Sequence, residues 1–220
     1  MKIVCLSDTH GFHRKVRVPP GDLLIHAGDF TWLSKSQPEI LDFNAWLGEL
    51  PHRCKIVIPG NHEFAFEETP RLSRVISNAL FLVDEVVEVC GFRVWGSPLT
   101  TLYGGAFGRS AAADRARIYS GIPQGTDILV THGPPFGVLD RPRGTDRNEG
   151  CRELLAAVRR IQPRLHIFGH IHGGYGTHSE NGTVFVNAAL CGESECIEYQ
   201  PIVIDLESRN SPQPLRFEGT

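Results

Sequence analysis

Five times in its first 172 residues, this chain runs a short apolar stretch straight into side chains that can hold a metal ion. Ile3-Val4-Cys5-Leu6 leads into Ser7-Asp8-Thr9-His10, and Leu23-Leu24-Ile25 into His26-Ala27-Gly28-Asp29. Lys55-Ile56-Val57-Ile58 leads into Pro59-Gly60-Asn61-His62-Glu63, and Asp127-Ile128-Leu129-Val130 into Thr131-His132-Gly133-Pro134. Leu165-His166-Ile167-Phe168 leads into Gly169-His170-Ile171-His172. Short continuous apolar runs of this kind suit strands covered on both faces. In layered α/β folds ligands collect beyond the carboxyl ends of such strands. The pattern therefore predicts that five segments far apart in sequence meet at one rim.

Further strands are expected at 86–89, 92–95, 183–186 and 202–206, with a hairpin turn at Cys90-Gly91-Phe92. A helix is expected over 38–50, where Ile40, Leu41, Phe43, Trp46, Leu47 and Leu50 recur at helical spacing behind Ser36 as N-cap. Another is expected over 151–161, where Leu154, Leu155, Val158 and Ile161 share a face and Pro163 stops the run. Residues 97–125, glycine-rich at Gly104, Gly105 and Gly108, read as a long loop with one helix, and such loops are usually functional. Strand–helix alternation early and late predicts an α/β layered architecture, as a single domain over 1–220.

Composition removes several classes of function. A net charge of -3 without any Lys/Arg block leaves no broad footprint for nucleic acid. No apolar run approaches the length of about 18 residues that a membrane span needs, and the N-terminal stretch reads as a strand rather than a secretory signal. Cys5 lies inside an apolar run and reads as a buried thiol, and six cysteines without a disulfide framework suggest a reducing, cytoplasmic setting. Cys191 and Cys196 can pair or bind metal, but their spacing matches no strong zinc pattern. Nothing in the sequence sets an oligomeric state.

The candidate ligands are coherent as a set. Asp8, Asp29, Asn61, His10, His132, His170 and His172 offer oxygen and imidazole donors with no thiolate, which suits Mn first, then Fe, Zn, Co or Ni. Seven donors are too many for one catalytic ion with an open position, and they suffice for two if a carboxylate bridges. Gly28, Gly60, Gly133 and Gly169, beside the ligands, suit tight turns and close approach. Taken singly each ligand has a structural alternative: Asp29 as a turn cap, Asn61 in a left-handed turn, His132 as a bonded core imidazole. Placement of all five clusters after strands argues for the joint site.

Asp8-x-His10, Gly28-Asp29, Gly60-Asn61-His62-Glu63, His132 and Gly169-His170-x-His172, in this order, resemble the five motifs of the calcineurin-like metallophosphoesterases. Finer strings resemble the fetal-brain metallophosphoesterase-domain branch and its microbial relatives: Gly28-Asp29-Phe30-Thr31, Thr131-His132-Gly133-Pro134-Pro135, and Gly174-Tyr175-Gly176 after the last motif. The resemblance implies a four-layer αββα sandwich. It implies one ion on Asp8, His10 and His172 and a second on Asn61, His132 and His170, with Asp29 bridging. His62 would be the catalytic non-ligand histidine, and a metal-bridging hydroxide would attack phosphorus in line. Some members of the branch carry Gly where this chain has His170; here the ligand is present.

The resemblance also implies a substrate: a small phosphodiester of nucleotide type, cyclic nucleotides included. The alternatives are a phosphomonoesterase or protein phosphatase and, in another class, a non-catalytic nucleotide-binding or scaffold protein on the same fold. Outside the motifs, His26 is a candidate support for the Asp29 loop, and His166 reads as a strand residue of core or surface. Glu63 reads as a structural acceptor, and Trp32, Trp46 and Trp95 as packing residues. Phe64, Tyr103 and Phe136 lie near enough to the motifs to stack a base, and Arg109, Arg143 and Asn148 sit in loops that can reach a phosphate or base.

Overall fold

Successive residues of each central strand point to opposite faces, and in this chain both faces are covered by protein. The computed structural model describes residues 1–101, 104–192, 194 and 196–207. Its strands are β1 (Lys2–Leu6), β2 (Leu23–His26), β3 (Cys54–Val57), β4 (Leu80–Phe81), β5 (Glu85–Val89), β6 (Phe92–Ser97), β7 (Ile128–Thr131), β8 (Leu165–Phe168), β9 (Gly176–Glu180), β10 (Thr183–Asn187) and β11 (Ile202–Asp205). They form a five-stranded sheet in the order β11-β1-β2-β3-β4 and a six-stranded sheet in the order β5-β6-β7-β8-β10-β9. Inner strands run parallel, while β11, β5 and β9 pair antiparallel at the edges.

Alternation along the strands builds three apolar layers. Ile3 and Cys5 of β1, Leu23 and Ile25 of β2, Ile128 and Val130 of β7, and Leu165 and Ile167 of β8 fill the space between the sheets. Val4, Leu6, Leu24 and Val57 face outward onto α1 (Gln37–Glu49) and α2 (Phe64–Glu68), meeting Ile40, Phe43, Trp46, Leu47 and Phe66. Trp95, Leu129, Phe168 and Phe185 face outward onto α3 (Ala112–Ser120) and α4 (Arg152–Ile161). Each fully buried Leu or Ile contributes about 1.5–3 kcal/mol. The result is the four-layer αββα arrangement. Among the described residues no helix is long and apolar enough to cross a membrane.

Some local expectations shift. Leu41 is exposed, and Leu155 is only half-buried, because each sits at the margin of its helix's apolar stripe. Ser36 occupies the N-cap position of α1, yet its hydroxyl makes no capping bond. Cys90 and Gly91 both take positive φ (53° and 81°), the geometry of a two-residue hairpin turn. The Cys90 sulfur is joined to that of Cys54, a disulfide linking the two sheets. This corrects the reading of the six cysteines as lacking a disulfide framework: two positions 36 apart in sequence are brought together by the stacking of the sheets, while no disulfide joins Cys191 to Cys196. Cys5 is the buried thiol expected, and Cys196 stays an exposed thiol.

The sheets also meet at one edge. Ser7 bridges to Ala189, and the Leu190 amide donates to the Ser7 carbonyl at 2.9 Å, so the carboxyl ends of β1, β2, β3, β7 and β8 converge there.

Candidate metal centre

Where β1, β2 and β8 end, the backbone turns sharply. Asp8 (φ 54°), His10 (φ 42°), Asp29 (φ 54°) and His170 (φ 68°) all lie in the left-handed region, at a cost of order 1–3 kcal/mol each. Hydrogen bonds from one turn to the next hold them together. Asp8 N donates to Gly28 O at 2.9 Å, His10 N to Asp29 O at 3.0 Å, Gly169 N to His132 O at 3.0 Å, and His170 N to Asp8 Oδ2 at 3.0 Å. Two glycines are required by close approach: a Cβ on Gly60 would collide with the Asp29 carboxylate, and one on Gly169 with that of Asp8. Gly133, by contrast, has room for a side chain.

The turns bring all eight predicted side chains to one rim. Asp8 Oδ1 lies 3.4 Å from His172 Nε2 and 4.0 Å from His10 Nε2. Asp29 Oδ2 lies 3.9 Å from His10 Nε2, 3.9 Å from His62 Nε2 and 3.2 Å from His132 Nε2. Asn61 Oδ1 is 2.8 Å from His132 Nε2, and the His132 and His170 rings are 5.1 Å apart. Three groups of donors lie close enough to share an ion: Asp8, His10 and His172; His10, Asp29 and His62; Asp29, His132 and His170.

The electrostatics favour a cation. Burial works to raise both carboxyls, but His172 at Asp8 and His132 at Asp29 hold them well below the usual carboxylate range. Burial works to lower the imidazoles; the carboxylates overturn it at His132 and His172, each pushed up to about 9, while burial wins at His10 and takes His170 down to about 4. Tautomers are fixed from behind. His132 Nδ1 donates to the Ala27 carbonyl at 2.8 Å, and His172 Nδ1 to Gly192 O at 3.3 Å. His132 Nε2 is thereby left facing two oxygen acceptors, a place that only a proton or a metal ion can satisfy. Carboxylate, amide and imidazole donors without thiolate fit a divalent ion of the Mn, Fe or Zn kind.

A family model described as calcineurin-like phosphoesterase matches residues 1–174. The chain belongs to that family.

It is 42% identical over 241 aligned residues to human metallophosphoesterase domain-containing protein 1, covering 96% of this chain and 72% of the relative. A UPF0046 protein of Caenorhabditis elegans is 39% identical, covering 92% and 74%. Among solved structures, the protein TT1561 of Thermus thermophilus shares the fold, with a TM-score of 0.59 at 15% identity over 84% of this chain and 88% of that one. This phosphoesterase is a hydrolase, and its histidine–aspartate clusters make it a metal-dependent one.

Around the rim the phosphoesterase has supports that the sequence hinted at weakly. Glu63 is fully buried and accepts from Asp29 N (2.9 Å), Gly60 N (2.6 Å), Thr31 N (2.9 Å) and Thr31 Oγ1 (2.7 Å), so it clamps the Asp29 turn to the Asn61 turn. Burial, then the Asp29 charge, pushes its carboxyl up to about 8. His26 accepts from Gly28 N at Nδ1 and reaches Thr9 Oγ1 at 3.1 Å, supporting two turns at once. His166 is core: its Nε2 meets Thr131 Oγ1 at 2.9 Å, and that hydroxyl donates onward to Gly133 O. The long loop contributes Ala106, whose amide donates to the Asn61 carbonyl at 2.9 Å. No residue pattern announced that contact.

The other candidates separate. Arg109 is spent on Glu67 at 3.0 Å, and Asn148 accepts from Arg141 Nε at 2.9 Å. Arg143 is exposed, in a loop whose backbone lies against Gly173, next to His172. Phe136 lies under the Arg152 guanidinium and Phe64 packs on the outer core of the first sheet; Tyr103 falls outside the described residues. Trp46 and Trp95 are packing residues as expected, whereas Trp32 is exposed at the rim.

Proposed function

We propose that this phosphoesterase hydrolyses small phosphodiesters of nucleotide type, with two divalent ions held by the clustered donors. Asp8, His10 and His172 would hold one ion and Asn61, His132 and His170 the other, with Asp29 shared. Manganese is the first choice, iron, zinc, cobalt and nickel being compatible. The carrying observation is that Asp29 belongs to two of the three donor groups and His10 joins Asp29 to the third, so the clusters form one continuous array. Bound there, divalent ions supply Lewis acidity at a phosphoryl oxygen and acidify water near neutral pH.

The chain's own groups do the rest. Asp8 and Asp29 stay ionised and set the charge that draws the ions in. His62 bonds through Nδ1 to the Trp32 carbonyl, which aims Nε2 toward the Asp29 side of the rim. From there it is placed to steady the phosphoryl oxygens and to hand a proton to the leaving alkoxide. The ligand turns come from both sheets, which supports reading residues 1–220 as one domain. The thiols of Cys5 and Cys196 support a cytoplasmic setting, with the Cys54–Cys90 disulfide as the feature pulling the other way.

The test is hydrolysis of bis-p-nitrophenyl phosphate and of p-nitrophenyl phosphate by manganese-loaded protein, with His62→Gln alongside. Turnover of the diester with a higher kcat/KM, abolished by chelation and strongly reduced in His62→Gln, supports the reading. A monoester preference would remove the diester assignment, and equal inactivity of both proteins would remove catalysis altogether.

A further inference from the structure

Trp32 alone among the described Phe, Trp and Tyr side chains is exposed, at 41%. Its place at the rim, beside two histidines of the donor array, is what sets it apart. Its ring is 5.6 Å from that of His10 and 5.8 Å from that of His62, both edge-on. Both of its backbone polar groups are tied down: the amide donates to Glu39 Oε1 at 2.8 Å, and the carbonyl accepts from His62 Nδ1. The backbone is fixed, and the residue keeps 41% of its surface exposed beside the two histidines.

A hollow runs along the two segments that follow Trp32 and His62 in the chain, and neither of those two side chains lines it. Leu33, Ser34 and Lys35, which follow Trp32, and Phe64, Ala65 and Glu68, which follow His62, line this hollow of about 560 Å³. A base or aryl ring lying on the indole would keep its phosphate over the histidines, since the stacking is sequence-tolerant and uses only the π-face.

We infer that Trp32 is a specificity-determining residue, the platform for an aromatic or heterocyclic substituent of the diester. The inference rests on the phosphodiesterase reading of the site and assigns the side chain that would recognise the ring of such an ester.

Competitive inhibition of bis-p-nitrophenyl phosphate hydrolysis by adenosine 5′-monophosphate, ribose 5-phosphate and inorganic phosphate tests it. In the native enzyme the nucleotide should bind more tightly than the other two. Trp32→Ala should weaken the nucleotide about tenfold to a hundredfold while leaving inorganic phosphate within twofold, and Trp32→Phe should restore most of the loss. Fluorescence gives a readout free of turnover. Trp46 and Trp95 are buried, so nucleotide quenching should report Trp32 and should vanish in Trp32→Phe. Equal losses for nucleotide and inorganic phosphate in Trp32→Ala, or a native enzyme indifferent to the base, would overturn the inference. If the native enzyme fails to turn over the diester, the functional reading falls instead, and quenching by the nucleotide still decides the stack.

Discussion

The interior between the sheets and the rim beyond them are built by the same strands a few residues apart, and they obey opposite rules. Ile25 of β2 is wholly buried among Ile3, Ile56 and other aliphatic neighbours. Four residues on, Asp29 is also buried, but it takes a left-handed backbone and depends on His132, on the His62 amide and on the Glu63 clamp behind it. A core side chain needs volume and an apolar surface, which many residues supply. A buried carboxylate needs partners of the right charge at the right distance, and removing one leaves an uncompensated charge. The core is degenerate and the rim is not.

The comparison is sharpened first at His62. Its replacement by Gln should lower kcat about 10²- to 10⁴-fold with metal content unchanged by elemental analysis; a loss under tenfold would remove its proton-transfer role. In the core, Ile25→Ala should lower the unfolding free energy by about 2–5 kcal/mol in urea titration while kcat per folded molecule stays within twofold. An activity loss far beyond the folded fraction would blur the two regions.

Between the regions sits Glu63. In Glu63→Gln one accepting oxygen becomes an NH2 that cannot accept, so donors on Asp29, Gly60 or Thr31 lose a partner and the Asp29 turn should loosen. Metal affinity is expected to fall about 10- to 100-fold in competition with a chelator. Unchanged affinity would make Glu63 a core residue in all but chemistry.

An effect confined to acid pH is electrostatic and lies in the interior. Burial pushes His166 down to about 3, below its value near 6.5 in the unfolded chain. The unfolded state therefore binds the proton first, and stability drops as pH falls from about 6.5 toward 3. The slope is about 1.4 kcal/mol per pH unit for each such histidine. His166→Leu should flatten the profile by about one proton between pH 6 and 4, and His26, also pushed to about 3, should retain its share. An unaltered slope would mean that His166 is protonated in place.

Much of this was legible because alternation and strand-end chemistry are local. Ile3 against Val4, and Ile128 against Leu129, announce two covered faces. Asp8, Asp29, Asn61 and the histidines announce the rim only jointly, because all five clusters follow strands and their order resembles a known set of motifs. Local pattern gave no access to β4, which is two residues long, or to β9, whose polar Gly-Thr-His-Ser-Glu run makes an exposed edge. Nor did it separate Trp32 from Trp95, since exposure belongs to neighbours and not to the residue.

The order of donors along the chain, the strands that carry them and the absence of thiolate among them were determined by the sequence alone, through side-chain period and ligand chemistry. Tertiary structure decided what joins across distance: the Cys54–Cys90 link, the Ala106 contact behind Asn61, the tautomers of His132 and His172, and the exposed indole of Trp32. The physical reason is that hydrogen bonds and exposure are properties of pairs and surroundings, and those pairs exist only once the two sheets have stacked.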